Sequence, residues 1–554
     1  MKTRLHLILA LILFTTQLST GQKPHFNEKT GLLTDKSLYI TGETIQFSSF
    51  LISQDSDNTL SNYIYLELIT PDGKQIVGEK YKLINQEYSG SVIIPNNVLS
   101  GNYYLRAYTR YMRNFGPENY EYRFLKIVNP DKSDILNGYH QDTAIMKDLN
   151  NITVAKHLEI TLNKEEFKNR EKVSIICKNN YKSDSIKKIV ISVTQKEGVI
   201  YKELKHSSML EEKLYYHPEI TGISISGVVL DKKSGKALPS IKINLSIMNQ
   251  NNNQFYPQIT DSVGHFSFVL PEFYHSNDIF ISCDNEENIE PEILVDNDFC
   301  TETVILPSPP FYLTELEEKV AYSYAVNNNV RNYFNIDTIG LTEIEKSQRI
   351  DTIPFYGKAN SIIHINDFIE LPVIEDYFTE LPFPVKVRGT KGEKKLTVSG
   401  NQTEMFIYEP LVMIDFIPIY DHADILSISP KKVSRIDVVT EPYIRGEVTY
   451  GGIINLISVE NDFASIKLPP TGLFLNYTFL SKKLNANYDR QSVEENIPDT
   501  RNTLYWNPDF DLSDGKSIDF SFYTGDTDGE YQINVIGISQ DGKIILNTKS
   551  FQVK

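Results

Sequence analysis

Apolar and polar residues alternate with a period of two near both ends of this chain, and that alternation limits it to half-buried β-strands more tightly than any other feature. Ile64, Leu66 and Leu68 alternate with Tyr65 and Glu67, and Tyr103, Leu105 and Ala107 with Tyr104 and Arg106. Further on, Ile518, Phe520 and Phe522 alternate with Asp519 and Ser521, and Tyr531, Ile533 and Val535 with Gln532 and Asn534. Successive side chains of a strand point to opposite faces, so this pattern places one row on a core and the other outside. Turn residues punctuate the strands at Thr41-Gly42, Pro71-Asp72-Gly73 and Ser100-Gly101. A chain of 554 residues exceeds what one hydrophobic core supports. The expected fold is therefore mainly β and multidomain, a series of β-sandwiches with a small α+β unit.

Composition narrows the function. The 33 Tyr and 28 Phe suit packed strands, and 55 basic against 72 acidic residues leave a formal charge of −17. That charge repels polynucleotides, and no Lys/Arg cluster offsets it locally. Lys2 and Arg4, an apolar run from Leu7 to Phe14 and small residues at Ser19 and Gly21 have the order of a secretory signal over residues 1–21, with the mature chain beginning near Gln22. No later run reaches the roughly 20 apolar residues of a membrane-spanning helix. Cys177, in the apolar stretch Val173–Cys177, reads as a core residue, and Cys283 with Cys300 remains a possible pair in an oxidising periplasm.

Two family resemblances follow. Residues 22–130 carry Asp35-Lys36-Ser37-Leu38-Tyr39-Ile40-Thr41-Gly42-Glu43, then Pro71-Asp72-Gly73, then Gly101-Asn102-Tyr103-Tyr104-Leu105-Arg106-Ala107-Tyr108-Thr109. This resembles the second macroglobulin-type domain of bacterial α2-macroglobulin-like proteins. Asn163-Lys164 and Phe167 stand before Glu171 at the same spacing, an internal repeat that predicts a second, shorter sandwich over 151–216. None of the three cysteines lies in the Gly-Cys-x-Glu-Gln stretch of the protease-trapping thioester, so covalent trapping is not expected. Ile225-Ser226-Gly227-Val228-Val229, with Ser234-Gly235-Lys236 and Asp261-Ser262-Val263-Gly264-His265-Phe266, looks like a carboxypeptidase-regulatory-like sandwich over 221–305, a module that carries no peptidase activity. Leu313, Leu316, Val320 and Tyr324 at helical spacing, with Glu315, Glu317 and Glu318 early, predict a linking helix over 312–334 whose acidic face is solvated.

Residues 353–460 bring the second resemblance. Leu381-Pro382-Phe383-Pro384-Val385, Pro410-Leu411-Val412-Met413-Ile414-Asp415-Phe416, Ile425-Leu426-Ser427-Ile428-Ser429-Pro430 and Tyr450-Gly451-Gly452-Ile453-Ile454-Asn455 are similar in order and spacing to the plug domain of TonB-dependent outer-membrane receptors. Those receptors have an Asp-Gly turn where this chain has Asp415-Phe416. Too few residues follow Ile457 for a barrel of about 22 strands. The tail, 499–554, resembles a final sandwich unit, with Trp506 as a core anchor.

Motif searches for chemistry return little. The histidines stand too far apart in sequence for a zinc-binding pair on one helix face, and there is no nucleophile elbow, phosphate loop or dinucleotide loop. Asp526-Thr527-Asp528-Gly529 lacks the later carboxylate of a calcium loop and reads as a turn. No catalytic, cofactor-binding or metal-binding residue is assigned. The expected function is a non-catalytic envelope protein, periplasmic or outer-membrane associated. It docks to or plugs a pore made by a partner outer-membrane β-barrel, and its sandwiches hold it there or lend an exposed strand edge. Asp415, Phe416 and Tyr420, around the altered turn, are the residues offered as partner contacts, because an exposed Phe in place of Gly is costly unless covered; the competing and favoured reading is that Phe416 folds back onto its own domain. The alternatives are a peptide- or glycan-binding module and a cryptic hydrolase.

Overall fold

The computed structural model describes residues 28–52, 61–136, 153–154, 158–179, 186–196, 215–248, 253–284, 289–334, 341–343, 354–389, 394–400, 407–481, 484–486, 497–510, 517–539 and 544–554. The N-terminal signal expected over 1–21 lies outside the described residues. Among the described residues no helix is long and apolar enough to cross a membrane. The chain is mainly β and multidomain.

The first sandwich has eight strands: β1 Lys29–Thr34, β2 Leu38–Ile40, β3 Thr44–Ile52, β4 Tyr63–Ile69, β5 Gln75–Lys82, β6 Glu87–Ile93, β7 Gly101–Tyr108 and β8 Glu121–Val128. They form a three-stranded sheet, β1-β3-β6, and a five-stranded sheet, β2-β8-β7-β4-β5, in which β2 runs parallel to β8. Leu32, Phe47, Ile64, Leu66, Leu68 and Leu105 fill the space between the sheets. The alternation along β4 holds, but its second row is buried as well. Tyr65, Glu67 and Ile69 lie under an extended strap from further along the chain, whose Cys300, Val304 and Leu306 pack on Tyr104 and Tyr108. An ion pair between Arg106 and Glu67, 2.7 Å apart and fully buried, lies beneath the strap, and Arg106 Nη2 donates to the Cys300 carbonyl at 3.0 Å.

The second sandwich repeats the first. Its strands are β9 Leu158–Leu162, β10 Glu166–Phe167, β11 Lys172–Asn179, β12 Ile186–Gln195, β13 Thr503–Asn507, β14 Ser517–Tyr523, β15 Gly529–Ser539 and β16 Ile544–Val553. Their order, β9-β11-β14 and β10-β16-β15-β12-β13, reproduces the order of the first sandwich, including the parallel pair β10/β16, and a short further strand, Thr153–Val154, pairs parallel to β16. The register repeats too: Thr34 opposes Phe47 in the first copy and Leu162 opposes Ile175 in the second. The shorter sandwich expected over 151–216 and the tail unit expected over 499–554 are thus two halves of one domain. Neither half closes a core alone; Val173, Ile175 and Val193 need Phe522, Ile533 and Phe551 opposite them. Residues 196–502 enter between β12 and β13, where the first sandwich has only the Thr70–Lys74 turn.

That insertion holds the rest. The third sandwich places strands Ser224–Asp231, His265–Val269 and Pro291–Val295 in one sheet, and Lys242–Met248, Gln254–Ile259 and Ser276–Cys283 in the other. The boundary expected at 305 is too short, because Leu473–Thr478 returns to add an antiparallel strand against Ser276–Cys283. The helix Glu315–Tyr333 starts with Thr314 and Glu317 capping each other's backbone and packs Val320, Ala321 and Tyr324 on Leu38 and Ile40. Its early acids are not all solvated. Glu317 is buried and accepts from Lys126 Nζ at 2.7 and 2.8 Å. In the α+β unit, the sheet runs Ser361–His364, Val433–Val439, Ile453–Ser458, Leu411–Ile414, Ile417–Pro418, with helices Ile374–Glu380 and His422–Leu426 on one face.

Cys177, Cys283 and Cys300 are all buried and free. Cys283 is in the core of the third sandwich and Cys300 in the strap on the first, so the candidate pair does not form. Trp506 is buried with Leu33, Phe50 and Ile536 where the two repeated sandwiches meet. Asp526 accepts from the Arg170 guanidinium at 2.6 Å and from the Asp499 N–H at 2.8 Å.

Candidate functional site

Strained backbone gathers at one place in the fold. Eleven described non-glycine residues have positive φ, and six of them, Asp415, Phe416, Asn461, Phe463, Ala464 and Ser465, sit around one tight hairpin. Met413 opposes Pro418 and Ile414 opposes Ile417, so Asp415-Phe416 is the whole turn. With φ of 46° and 68° it takes the left-handed geometry that matches strand twist and that Asn-Gly or Asp-Gly adopts without cost. A non-glycine residue there costs on the order of 1–2 kcal/mol. The glycine-free turn therefore forms, and its neighbours hold it.

The Asp415 carboxylate is the main tie. It accepts from Ser458 N at 2.8 Å, Ser458 Oγ at 2.6 Å and Phe463 N at 3.0 Å, joining the hairpin to the left-handed turn that follows the last strand of the unit. Phe416 N donates to Asn455 Oδ1 at 3.3 Å, and Asn455 Nδ2 donates to Tyr356 Oη at 3.1 Å. Tyr356 in turn donates to Asp437 at 2.8 Å, beside Arg435. The Phe416 ring packs on Phe355 and Tyr356.

The third sandwich completes the site. Ser246 Oγ donates to the Phe416 carbonyl at 2.8 Å, Asn244 Nδ2 donates to Tyr420 Oη at 2.8 Å, and Ser282 Oγ lies 3.0 Å from the same hydroxyl. Tyr450 donates to Asn244 Oδ1 at 2.9 Å. Asp415, Phe416 and Tyr420, expected as partner contacts, lie together around this hairpin. Their observed contacts are within this chain. The physical reason is that Phe416 finds an aromatic cover in Phe355 and Tyr356, and Tyr420 finds its polar partners on the sandwich.

A cleft of about 540 Å³ opens beside Tyr420, lined by Cys283, Asp284, Asp421, Asp424, Lys467 and Pro469 among others; a second of about 300 Å³ reaches His422 and Glu409. Burial pushes the Cys283 thiol up to about 12, so it is no thiolate at neutral pH. His422 Nδ1 accepts the Leu396 N–H at 2.9 Å, and burial holds the imidazole below its ordinary range. Burial raises Asp424, aided by the neighbouring Asp421 charge, while the hydrogen bond from Lys395 lowers Glu409. These groups offer a polar surface rather than an activated nucleophile. Asn244, Ser246 and Ser282 carry no sequence signal as site residues, since each is an ordinary polar position in an alternating strand.

No protein-family model and no curated protein matches the chain. Among solved structures, Salmonella α2-macroglobulin reacted with methylamine aligns at 9% identity with a TM-score of 0.23, over 96% of this chain and 40% of that one. Escherichia coli α2-macroglobulin activated by porcine elastase aligns at 10% identity with a TM-score of 0.21, over 95% and 44%. This chain spans about two fifths of the length of the structures it matches. At these scores the sandwich architecture rests on the strand order and register described above.

Proposed function

We propose that the protein is a non-catalytic component of the bacterial envelope, whose α+β unit docks on an outer-membrane barrel or transport complex from the periplasmic side. The observation that carries this reading is the apolar surface the unit leaves open: Ile369 is 88% and Ile444 67% exposed, with Ile362, Phe368 and Val459 also exposed. All five lie on this one unit and add apolar area that a docked partner would cover. The order and spacing shared with receptor plugs, on a chain with a secretory-type N-terminus, supports a barrel as the partner. Asp415, Phe416 and Tyr420 then act indirectly, by fixing the unit on the third sandwich.

Co-purification of the tagged mature chain from envelopes in mild detergent tests this. A stoichiometric outer-membrane barrel that is lost when Ile369 and Ile444 are replaced by Asp is the expected result; a clean monomer sinks the reading. A second reading, a peptide-binding module, draws support from an open strand edge on the third sandwich.

A further inference from the structure

The strand Leu473–Thr478 ends its sheet. It pairs on one side with Ser276–Cys283, and among the described residues none of its backbone N–H or C=O groups is bonded outside that ladder. A strand with such a free row of donors and acceptors templates the pairing of another, and proteins protect such edges with charges, proline or brevity. Several other edge strands among the described residues carry such protection. Glu79 and Lys82 lie on β5, Glu292 on Pro291–Val295, Asp519 on β14, and Pro257 and Pro418 interrupt two more. Leu473-Phe474-Leu475-Asn476-Tyr477-Thr478-Phe479-Leu480 has neither charge nor proline. Phe474 is half exposed on the outer face, and Leu473, Leu475 and Tyr477 are only part-covered on the inner one.

We propose that this edge binds an extended peptide segment of a partner protein by strand addition. The inference rests on the reading of the protein as a binding component and names the chemistry that it recognises. The segment is about six residues long at ~3.3 Å per residue, with apolar residues at alternate positions. One row continues the inner face beside Leu475, and an aromatic or branched residue lies across from Phe474, where cross-strand pairs of this kind are favourable. The net charge of −17 selects against a strongly acidic segment.

The probe is a fluorescein-labelled peptide with the sequence of residues 276–282, whose alternating faces already match this strand in the ladder it forms there. In the free full-length protein, the outward amides of 473–478 are expected to exchange within seconds; slow exchange would mean that the edge is already covered by this chain or a second copy, and would overturn the proposal. Peptide is expected to slow that exchange and to titrate in anisotropy, with Phe474→Lys weakening binding at least tenfold at an unchanged melting temperature. Should that variant fail to fold, Thr478→Lys on the same exposed face replaces it. No binding, or equal binding by the variant, overturns the proposal. Retention of a co-purifying barrel by Phe474→Lys separates this failure from failure of the envelope-docking reading.

Discussion

Thr503 Oγ1 donates a 2.6 Å hydrogen bond to Asp35 Oδ2, joining two residues 468 positions apart at the seam between the repeated sandwiches. Asp35 also accepts from Tyr39 Oη at 2.8 Å and Gln46 N at 3.0 Å, and Asn502 Nδ2 donates to Glu43 at 2.6 Å. Asn327 of the linking helix donates to Asn502 at 2.8 Å. The residues that carry the macroglobulin-type resemblance are therefore the clamp that locks two sandwiches and a helix together.

Removing that hydroxyl is predicted to loosen the seam. Thr503→Val preserves shape and deletes one donor to a buried charged acceptor, a loss of about 2 kcal/mol. Burial raises the Asp35 carboxyl above its ordinary range. A raised carboxyl contributes stability that is present below its unfolded value and lost as pH rises through its folded value. Asp35→Asn, the residue the second copy has at Asn163, is thus expected to be tolerated at pH 7 and to lose ground to the wild type as pH falls. Thermal melting of both proteins between pH 7 and 4 measures this; a difference that does not move with pH refutes it.

The internal repeat was legible in four residues, and the geometry shows why. Lys36 reaches Glu43 at 2.8 Å and lies 4.8 Å from the Tyr39 ring centroid; Lys164 reaches Glu171 at 2.5 Å and lies 4.9 Å from Phe167. Glu43 accepts from Ile40 N and Glu171 from Lys168 N, each at 2.8 Å. Local chemistry of this kind is written in short spacing. The pairing of β12 with β13 is not, because its two strands lie on either side of residues 196–502 and either half alone reads as a small sandwich. The strap over Tyr65 and Glu67 was hidden for the same reason: an alternating strand covered on both faces looks like one covered on a single face. For Phe416 the sequence left a partner contact beside the favoured reading of folding back onto its own domain, and only the structure supplies the cover, Phe355 and Tyr356.

The twin ion pairs make a matched comparison. Lys36 and Glu43 are each 3% exposed, while Lys164 is 42% and Glu171 33% exposed. Replacing Lys36 by Met strands a buried carboxylate and is expected to cost about 3–5 kcal/mol. Lys164→Met is expected to leave melting unchanged within error, since water solvates the carboxylate left behind. Equal effects from the two substitutions would show that burial is not what separates the copies.

Asp415→Asn tests the strained hairpin. The amide keeps one acceptor for Ser458 N but turns an N–H₂ toward the Phe463 N–H, leaving a donor unpaired at a cost of about 1–3 kcal/mol. The left-handed turns at 415–416 and 461–465 lose their common tie. Amide exchange at Ser458 and Phe463 is expected to quicken far more than in the first sandwich; uniform quickening across the chain would deny the carboxylate its local role.

Acid is predicted to loosen the α+β unit through His422. Its imidazole is held below the usual range, first by burial, against the opposing pull of Glu409, with Lys395 and Asp421 also nearby. A group whose folded pKa is depressed in this way binds its proton more readily in the unfolded chain, so stability is full above about pH 6.5 and falls as pH drops toward the folded value. The slope is at most about 1.4 kcal/mol per pH unit for one proton. Protonation also puts a hydrogen on Nδ1, which can then no longer accept the Leu396 N–H. Melting of the wild type is therefore expected to drop between pH 6.5 and 5, while His422→Gln, whose amide oxygen still accepts but does not titrate, stays flatter over that window. Parallel curves for the two proteins would assign the acid response to some other group.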